Sequence, residues 1–244
     1  MRQVAKGVWL LRGFPPDMFN VYLMEDVLVD AATRWARGRI LSQLRRRRPR
    51  GVALTHCHPD HQGVARQVCR QFKVPLACHE LDVPAMEGRE PMAPANWILR
   101  LGVRCWAGPP APVDRRLHDG DEVAGFRVVH TPGHTPGHIL FFRDSDRVAI
   151  AGDVLANISF LTGKPGLRLP PPFFCESAEQ NRASVRKLAA LEPAVVCFGH
   201  GPPLYRTELL AKLIERMDAR RGAENDSGGP ADHSTGDRSA RALG

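Results

Sequence analysis

Short apolar runs alternate with amphipathic stretches along most of this chain, and the pattern predicts an α/β fold. Strand-like runs come first, at Val8–Leu11, Asn20–Met24 and Val27–Val29. From about Trp35 to Arg47 the period lengthens, and Ile40, Leu41 and Leu44 fall on one face of a predicted helix. Val52–Thr55 reads as a short buried strand. From Asp60 a helix is expected, with Val64, Val68 and Phe72 at helical spacing, and then a strand at Val74–Cys78. Residues 83–115 break the rhythm: they are rich in Pro and Gly, hold Trp97 and Trp106, and read as an irregular insertion with a helical turn near Asn96–Leu101.

Regular strands resume at Phe126–His130, Ile139–Phe142 and Val148–Ala151. A second loop, Leu155 to Cys175, carries Phe160, Phe173 and Phe174. Ser177 with Gln180 three residues on suits a capping box, so a helix is predicted from about Ser177 to Leu191, with Val185, Leu188 and Ala189 on its apolar face. Ala194–Phe198 is the last predicted strand and Arg206–Arg220 a closing helix. Residues 1–222 thus read as one globular domain. Residues 223–244 have almost no large apolar side chain and are expected to be a disordered tail.

Composition narrows the class. At 244 residues and 43% apolar, the chain can bury one sizeable core. It starts without a signal-like apolar run, and no stretch approaches the ~18 apolar residues of a membrane span, so a cytoplasmic protein is expected. Six scattered cysteines without a Cys-x-x-Cys pair read as reduced thiols. The net charge of +8 is concentrated at Arg45–Arg50, where a solvated helix end explains it without nucleic acid. A small-molecule substrate is expected, with neither nucleic acid nor membrane as partner.

The chemistry lies at the ends of the apolar runs. Thr55-His56-Cys57-His58-Pro59-Asp60-His61 places three of the ten histidines and a carboxylate in six positions, a ligand set for Zn²⁺ or iron. Thr131-Pro132-Gly133-His134-Thr135-Pro136-Gly137-His138, Ala151-Gly152-Asp153 and Phe198-Gly199-His200-Gly201 follow in order. Cys57 sits between two ligand candidates and, in extended backbone, should turn to the opposite face as a packed thiol. His130, His134 and His138 have helical spacing, but the Pro and Gly residues between them forbid a helix. His79 and His118 are most simply structural, and His233 lies in the tail. Thr55 and Asp30, each at a strand end, read either as partners that orient imidazoles or as ordinary strand-end turns.

These motifs, their order and their spacing resemble the metallo-β-lactamase-fold hydrolase superfamily, nearest its glyoxalase II-like and lactonase-like branches, over about residues 1–215. The resemblance implies a four-layer αββα sandwich with two mixed sheets flanked by helices. It implies two divalent metal ions, zinc first, with iron or manganese as alternatives. One would take His56, His58 and His134, the other Asp60, His61 and His200, and Asp153 would bridge them. His134 alone is selected from its cluster, leaving His138 to brace the loop. Asp60 would also be catalytic, and a hydroxide shared by the metals would attack a small ester, thioester or lactone.

The chain departs from the named branches in two respects. Glyoxalase II enzymes carry a helical C-terminal domain that helps to bind glutathione, whereas only 44 residues follow His200 here. Lactonases of the acyl-homoserine type place a tyrosine after the bridging aspartate, and the only tyrosines here are Tyr22 and Tyr205. An iron-dependent sulfur oxidoreductase resembling persulfide dioxygenases, and a phosphodiesterase or nuclease, are the alternatives on the same scaffold.

Overall fold

The computed structural model describes residues 1–226. Its first sheet has seven strands lying side by side in chain order: β1 (Arg2–Ala5), β2 (Val8–Leu10), β3 (Tyr22–Met24), β4 (Val27–Val29), β5 (Gly51–Ala53), β6 (Leu76–His79) and β7 (Arg115–Leu117). Strands β1 to β4 form an antiparallel meander, and β4 to β7 run parallel. Parallel neighbours need crossovers. These are supplied by α1 (Arg37–Leu44), α2 (Ala65–Phe72) and, between β6 and β7, α3 (Val83–Met86) with α4 (Trp97–Trp106).

The second sheet is built from β8 (Glu122–Val123), β9 (Phe126–His130), β10 (Ile139–Arg143), β11 (Val148–Gly152) and, after a long excursion, β14 (Val195–Phe198). The excursion contains a separate hairpin of β12 (Ala156–Ile158) and β13 (Pro165–Arg168), then α5 (Ala178–Ala190). Helix α6 (Glu208–Asp226) closes the described chain. No helix among the described residues is long and apolar enough to cross a membrane.

Period-2 alternation explains the layers. Phe126 and Val128 of β9, with Ile139 and Phe141 of β10, point toward the first sheet and pack with Val8, Tyr22, Met24 and Val29. Their neighbours Val129, Leu140 and Phe142 point outward against Val185, Leu188, Leu210 and Leu213 of α5 and α6. On the far side, Leu28, Val52 and Leu76 pack with Ile40, Leu44 and Val68 of α1 and α2. The result is the αββα sandwich, with three apolar cores between four layers.

Several local expectations are corrected. The helix expected from Asp60 begins only at Ala65. Residues 60–64 stay out of it because the Gly63 and Val64 amides donate to the carbonyls of Ala32 and Ala31 (2.7 and 3.2 Å), tying the first motif to the end of β4. That contact leaves no room for a side chain at Gly63, where a Cβ would lie 2.3 Å from the Thr33 carbonyl carbon. The insertion is more regular than its Pro and Gly content suggests: α4 spans Trp97–Trp106 with Asn96 as its N-cap, its side chain accepting from the Leu99 amide at 2.9 Å. The loop 155–175 contains β12 and β13, and β1, β7 and β8 are strands that the apolar pattern did not reveal. Ser177 caps α5 as expected, accepting from the Gln180 amide at 3.2 Å. Helix α6 continues to Asp226, so residues 223–226 are helical although they fall in the expected tail; the rest of that segment, with His233, lies outside the described residues.

Candidate metal centre

Four strand ends meet at one rim between the sheets. Strand β5 leads into Thr55–His61, the β9–β10 turn delivers His134, Asp153 directly follows β11, and His200 lies two residues past β14. Because β11 and β14 are parallel, Asp153 and His200 emerge on the same side. Three overlapping groups of ligand atoms result, each with its atoms within 4.8 Å of one another: His56, His58 and His134; His56, His61 and Asp153; Asp60, His61 and His200. All seven candidates from the motifs are therefore brought together. Asp153 Oδ2 sits among three imidazoles, 2.9 Å from His200 Nε2, 3.4 Å from His61 Nε2 and 3.6 Å from His134 Nε2. The close fit needs a glycine at Gly199, where a Cβ would come within 2.1 Å of Asp153 Oδ1.

Each ring is fixed from behind by its other nitrogen. His56 Nδ1 meets Thr55 Oγ1 at 3.0 Å, His61 Nδ1 meets Asp30 Oδ2 at 2.9 Å, and His200 Nδ1 donates to the Met18 carbonyl. His58 donates through Nε2 to the Ala93 carbonyl at 2.6 Å, and His134 Nδ1 contacts the Cys175 thiol at 3.8 Å. Such outer contacts select the tautomer and aim the free nitrogen.

The inward atoms are left without protein partners: His56 Nε2, His61 Nε2, His134 Nε2 and Asp153 Oδ1 are buried with no hydrogen bond. Burying an unmatched polar atom costs about 1–3 kcal/mol. Several of them converging on one spot fit a cation that they ligate together, and the mixed imidazole and carboxylate set fits zinc or iron.

Electrostatics sort the rings into two kinds. Burial, reinforced by neighbouring histidines, pushes His56 and His134 well below the ordinary imidazole pKa, and burial lowers His58 as well. These rings stay neutral, the form a metal takes. Burial opposes a proton on His61, yet Asp153 and Asp30 hold its pKa well above the ordinary value. His200 is likewise raised, against burial, by Asp153. Burial would also raise Asp153, but His200 and His61 keep its carboxyl well below the usual range.

Two carboxylates and a histidine frame the rim. Asp30 accepts from the Thr55 amide and hydroxyl (2.8 and 2.9 Å) as well as facing His61, so it orients an imidazole rather than merely ending a strand. His138 is not aimed into the cluster: its Nε2 accepts from the Asp153 amide at 3.0 Å, its Nδ1 meets Thr131 Oγ1 at 2.8 Å, and burial lowers its pKa to about 3. Asp82 had no signal in the sequence. Its buried carboxylate accepts from the Cys57 amide (2.7 Å), Thr135 Oγ1 (2.9 Å) and the Gly137 amide (2.8 Å), bolting the first motif to the second. Asn20 does a similar service for the His200 loop, donating to the carbonyls of Phe198 and Gly201 at 2.9 and 2.7 Å. Cys57 turns away, its thiol 3.9 Å from Met86 Sδ, and all six cysteines are unpaired. His79 and His130 stack at 4.2 Å away from the rim, with His118 nearby.

Asp82→Ala should strand three buried donors, lowering unfolding stability by at least about 2 kcal/mol and weakening metal binding roughly 10- to 100-fold. Urea unfolding and competitive chelator titration measure the two effects. The raised His61 and His200 pKa values also set a pH dependence. Protons on these rings stabilise the metal-free fold at acid pH, and that gain is lost as pH rises through their raised pKa values. Metal must displace the same protons, so the thermal stabilisation by added zinc should be larger at about pH 8 than at about pH 6. An equal shift at both values contradicts this assignment.

Comparison with known proteins agrees with the geometry. Residues 15–200 match the model of the metallo-beta-lactamase superfamily. YflN of Bacillus subtilis (strain 168), named a probable metallo-hydrolase, is 31% identical over 242 residues, covering 87% of this chain and 90% of its own. The metallo-beta-lactamase family protein TTHA1429 from Thermus thermophilus superposes with a TM-score of 0.67 at 28% identity, over 93% of this chain and 85% of that one. TTHA1623, solved in a di-iron-bound form, gives a TM-score of 0.57 at 28% identity, over 86% of this chain and 91% of that one. The match over most of the chain, on a fold that brings these histidines and carboxylates to one rim, makes this protein a member of the metallo-beta-lactamase superfamily and a metallo-hydrolase.

Proposed function

We propose that the protein is a dinuclear hydrolase, with zinc or iron as its metal, that cleaves a small ester, thioester or lactone bearing an uncharged apolar acyl group. The observation that carries this reading is the pocket beside the centre. A cavity of about 450 Å³ has His58, Asp60, His134, Asp153 and His200 along one wall. The remaining lining is almost wholly apolar, from Phe19, Ile98, Leu99, Trp106, Phe160 and Phe174 among others, and includes no Lys, Arg, Asn, Gln, Ser or Thr. A substrate there has the centre as its only strongly polar contact, which suits a carbonyl at the centre with an apolar group behind it. It does not suit a phosphodiester or a glutathione conjugate, whose charges would be buried without partners.

The chain's own residues divide the work. His56, His58 and His134 would hold one cation and Asp60, His61 and His200 the other, with the Asp153 carboxylate shared. Such a pair supplies a Lewis acid for the carbonyl and brings the pKa of water down from 15.7 to about 7. Asp60 alone of the seven is only partly buried, and it lines the pocket. Its carboxylate is therefore the group placed to accept a hydrogen bond from the attacking water and hold a lone pair toward the carbonyl. Phe160 and Phe19 stand edge-on to His200, with ring centroids 4.9 and 5.7 Å away, and keep bulk water off that side.

A panel of esters, thioesters and lactones, each with neutral and with anionic acyl groups, tests the reading. Turnover should favour neutral apolar acyl groups, and Asp60→Asn should lower kcat roughly 10²-fold or more on the best of them, even in excess zinc, the scale of a misplaced nucleophile. Near wild-type turnover by the variant would falsify the role given to Asp60. Preference for phosphodiesters over every acyl substrate would overturn the substrate class.

A further inference from the structure

The mouth of the pocket is unlike the rest of the surface. Soluble proteins rarely leave large apolar side chains grouped in the open, yet three chain segments do so here. The first is α4. Its residues Ile98, Leu99 and the half-exposed Leu101 line the pocket, while Trp97 (74% exposed) stands outside the lining, so apolar residues occupy more of the helix than the core covers. Asn96, the cap of α4, donates to the Phe173 carbonyl at 2.6 Å, which ties the exposed Phe173 to the start of α4. The second is the turn before α1, where Trp35 (73% exposed) donates through Nε1 to the Cys105 carbonyl at 3.0 Å and so lies against the other end of α4. The third is the β12–β13 hairpin: Phe160 lines the pocket, and the next residue, Leu161, is 98% exposed at the tip.

Charge on these segments has one sign. Residues 31–50, 92–107 and 156–175 contain no Asp or Glu. They present the exposed cations Arg34, Arg100, Arg104, Lys164 and Arg168 on the same segments as the apolar side chains. Arg34 is tied to α4 by a bond to the Arg104 carbonyl at 2.8 Å, and its guanidinium lies 4.9 Å from the Trp35 ring.

We infer that this mouth is a peripheral membrane-binding face that rests on an anionic phospholipid bilayer. Tryptophans suit the headgroup boundary, aliphatic tips suit the acyl region beneath, and arginine and lysine suit anionic headgroups. We favour a bilayer over a nucleic acid strand because the most exposed large apolar side chain of the mouth, Leu161, is aliphatic, which suits the acyl region and adds nothing to base stacking. Nor does it require a span: the contact is with side chains at the rim of a folded domain. Its consequence is that the pocket opens toward the acyl phase. The inference stands on the surface alone, and its test needs no turnover.

The test is cosedimentation of the full chain with vesicles of phosphatidylcholine alone and with roughly one third phosphatidylglycerol, at moderate salt. Binding should be confined largely to the anionic vesicles. Tryptophan emission should shift to the blue on binding, since Trp35, Trp97 and Trp106 are three of the four tryptophans in the chain. The double variant W97S/L161S changes two exposed residues outside the pocket lining and should keep the wild-type melting temperature. It should lower the vesicle partition coefficient at least about tenfold. Failure to bind either vesicle overturns the inference. So does anionic binding that the variant leaves unchanged, which would place the contact at the Arg45–Arg48 helix end. A self-association, or an affinity for single-stranded oligonucleotide, that the variant abolishes while vesicles go unbound would assign the face to those partners instead.

Discussion

His56, His61 and His134 each keep one ring nitrogen, and Asp153 one oxygen, buried and without a hydrogen bond, and the four residues belong to overlapping ligand groups at one rim. Neutral imidazoles repel one another's lone pairs, and His200 and His61 hold the buried Asp153 carboxyl below the usual range. Cations relieve all of it at once. The outer framework is consistent with this constraint, since Asp30, Asp82, Asn20 and His138 use nearly every hydrogen bond they make to hold a ligand-bearing loop.

The sandwich makes such a framework possible. Parallel pairing of β4 with β5, and of β11 with β14, sends successive strand ends to the same rim, so ligands far apart in sequence arrive on one side of the inter-sheet core. The loops that leave the rim then serve a different purpose. The insertion with α4 and the β12–β13 hairpin build an apolar pocket over the centre and carry their surplus apolar surface outward, so one set of segments shapes both substrate access and the exposed mouth.

Much of this was legible in the chain because its cause is local. The His-x-His-x-Asp-His run needs only a strand end to present it, and the apolar runs that precede each ligand are those strands. Period-2 and helical spacing likewise gave the α/β class, whereas the four layers came with the family resemblance. What was hidden has non-local causes. Asp82 is an isolated carboxylate whose partners, Cys57, Thr135 and Gly137, are up to 55 residues away. Residues 60–64 look helical by spacing, but the amides of Gly63 and Val64 are claimed by Ala32 and Ala31. Strands β12 and β13 are short, β13 opens on Pro165-Gly166, and their pairing with each other, not their composition, defines them. Asp30 and Thr55 remained ambiguous until their contacts with the imidazoles could be seen.

The proposed chemistry depends on two cations that would share Asp153, and metal stoichiometry tests that most directly. Elemental analysis of the purified protein, before and after reconstitution with zinc or iron, should approach two ions per chain, with Asp153→Ala depleting both positions and His200→Ala mainly one. At most one ion per chain after reconstitution, with Asp153→Ala leaving that occupancy intact, contradicts it.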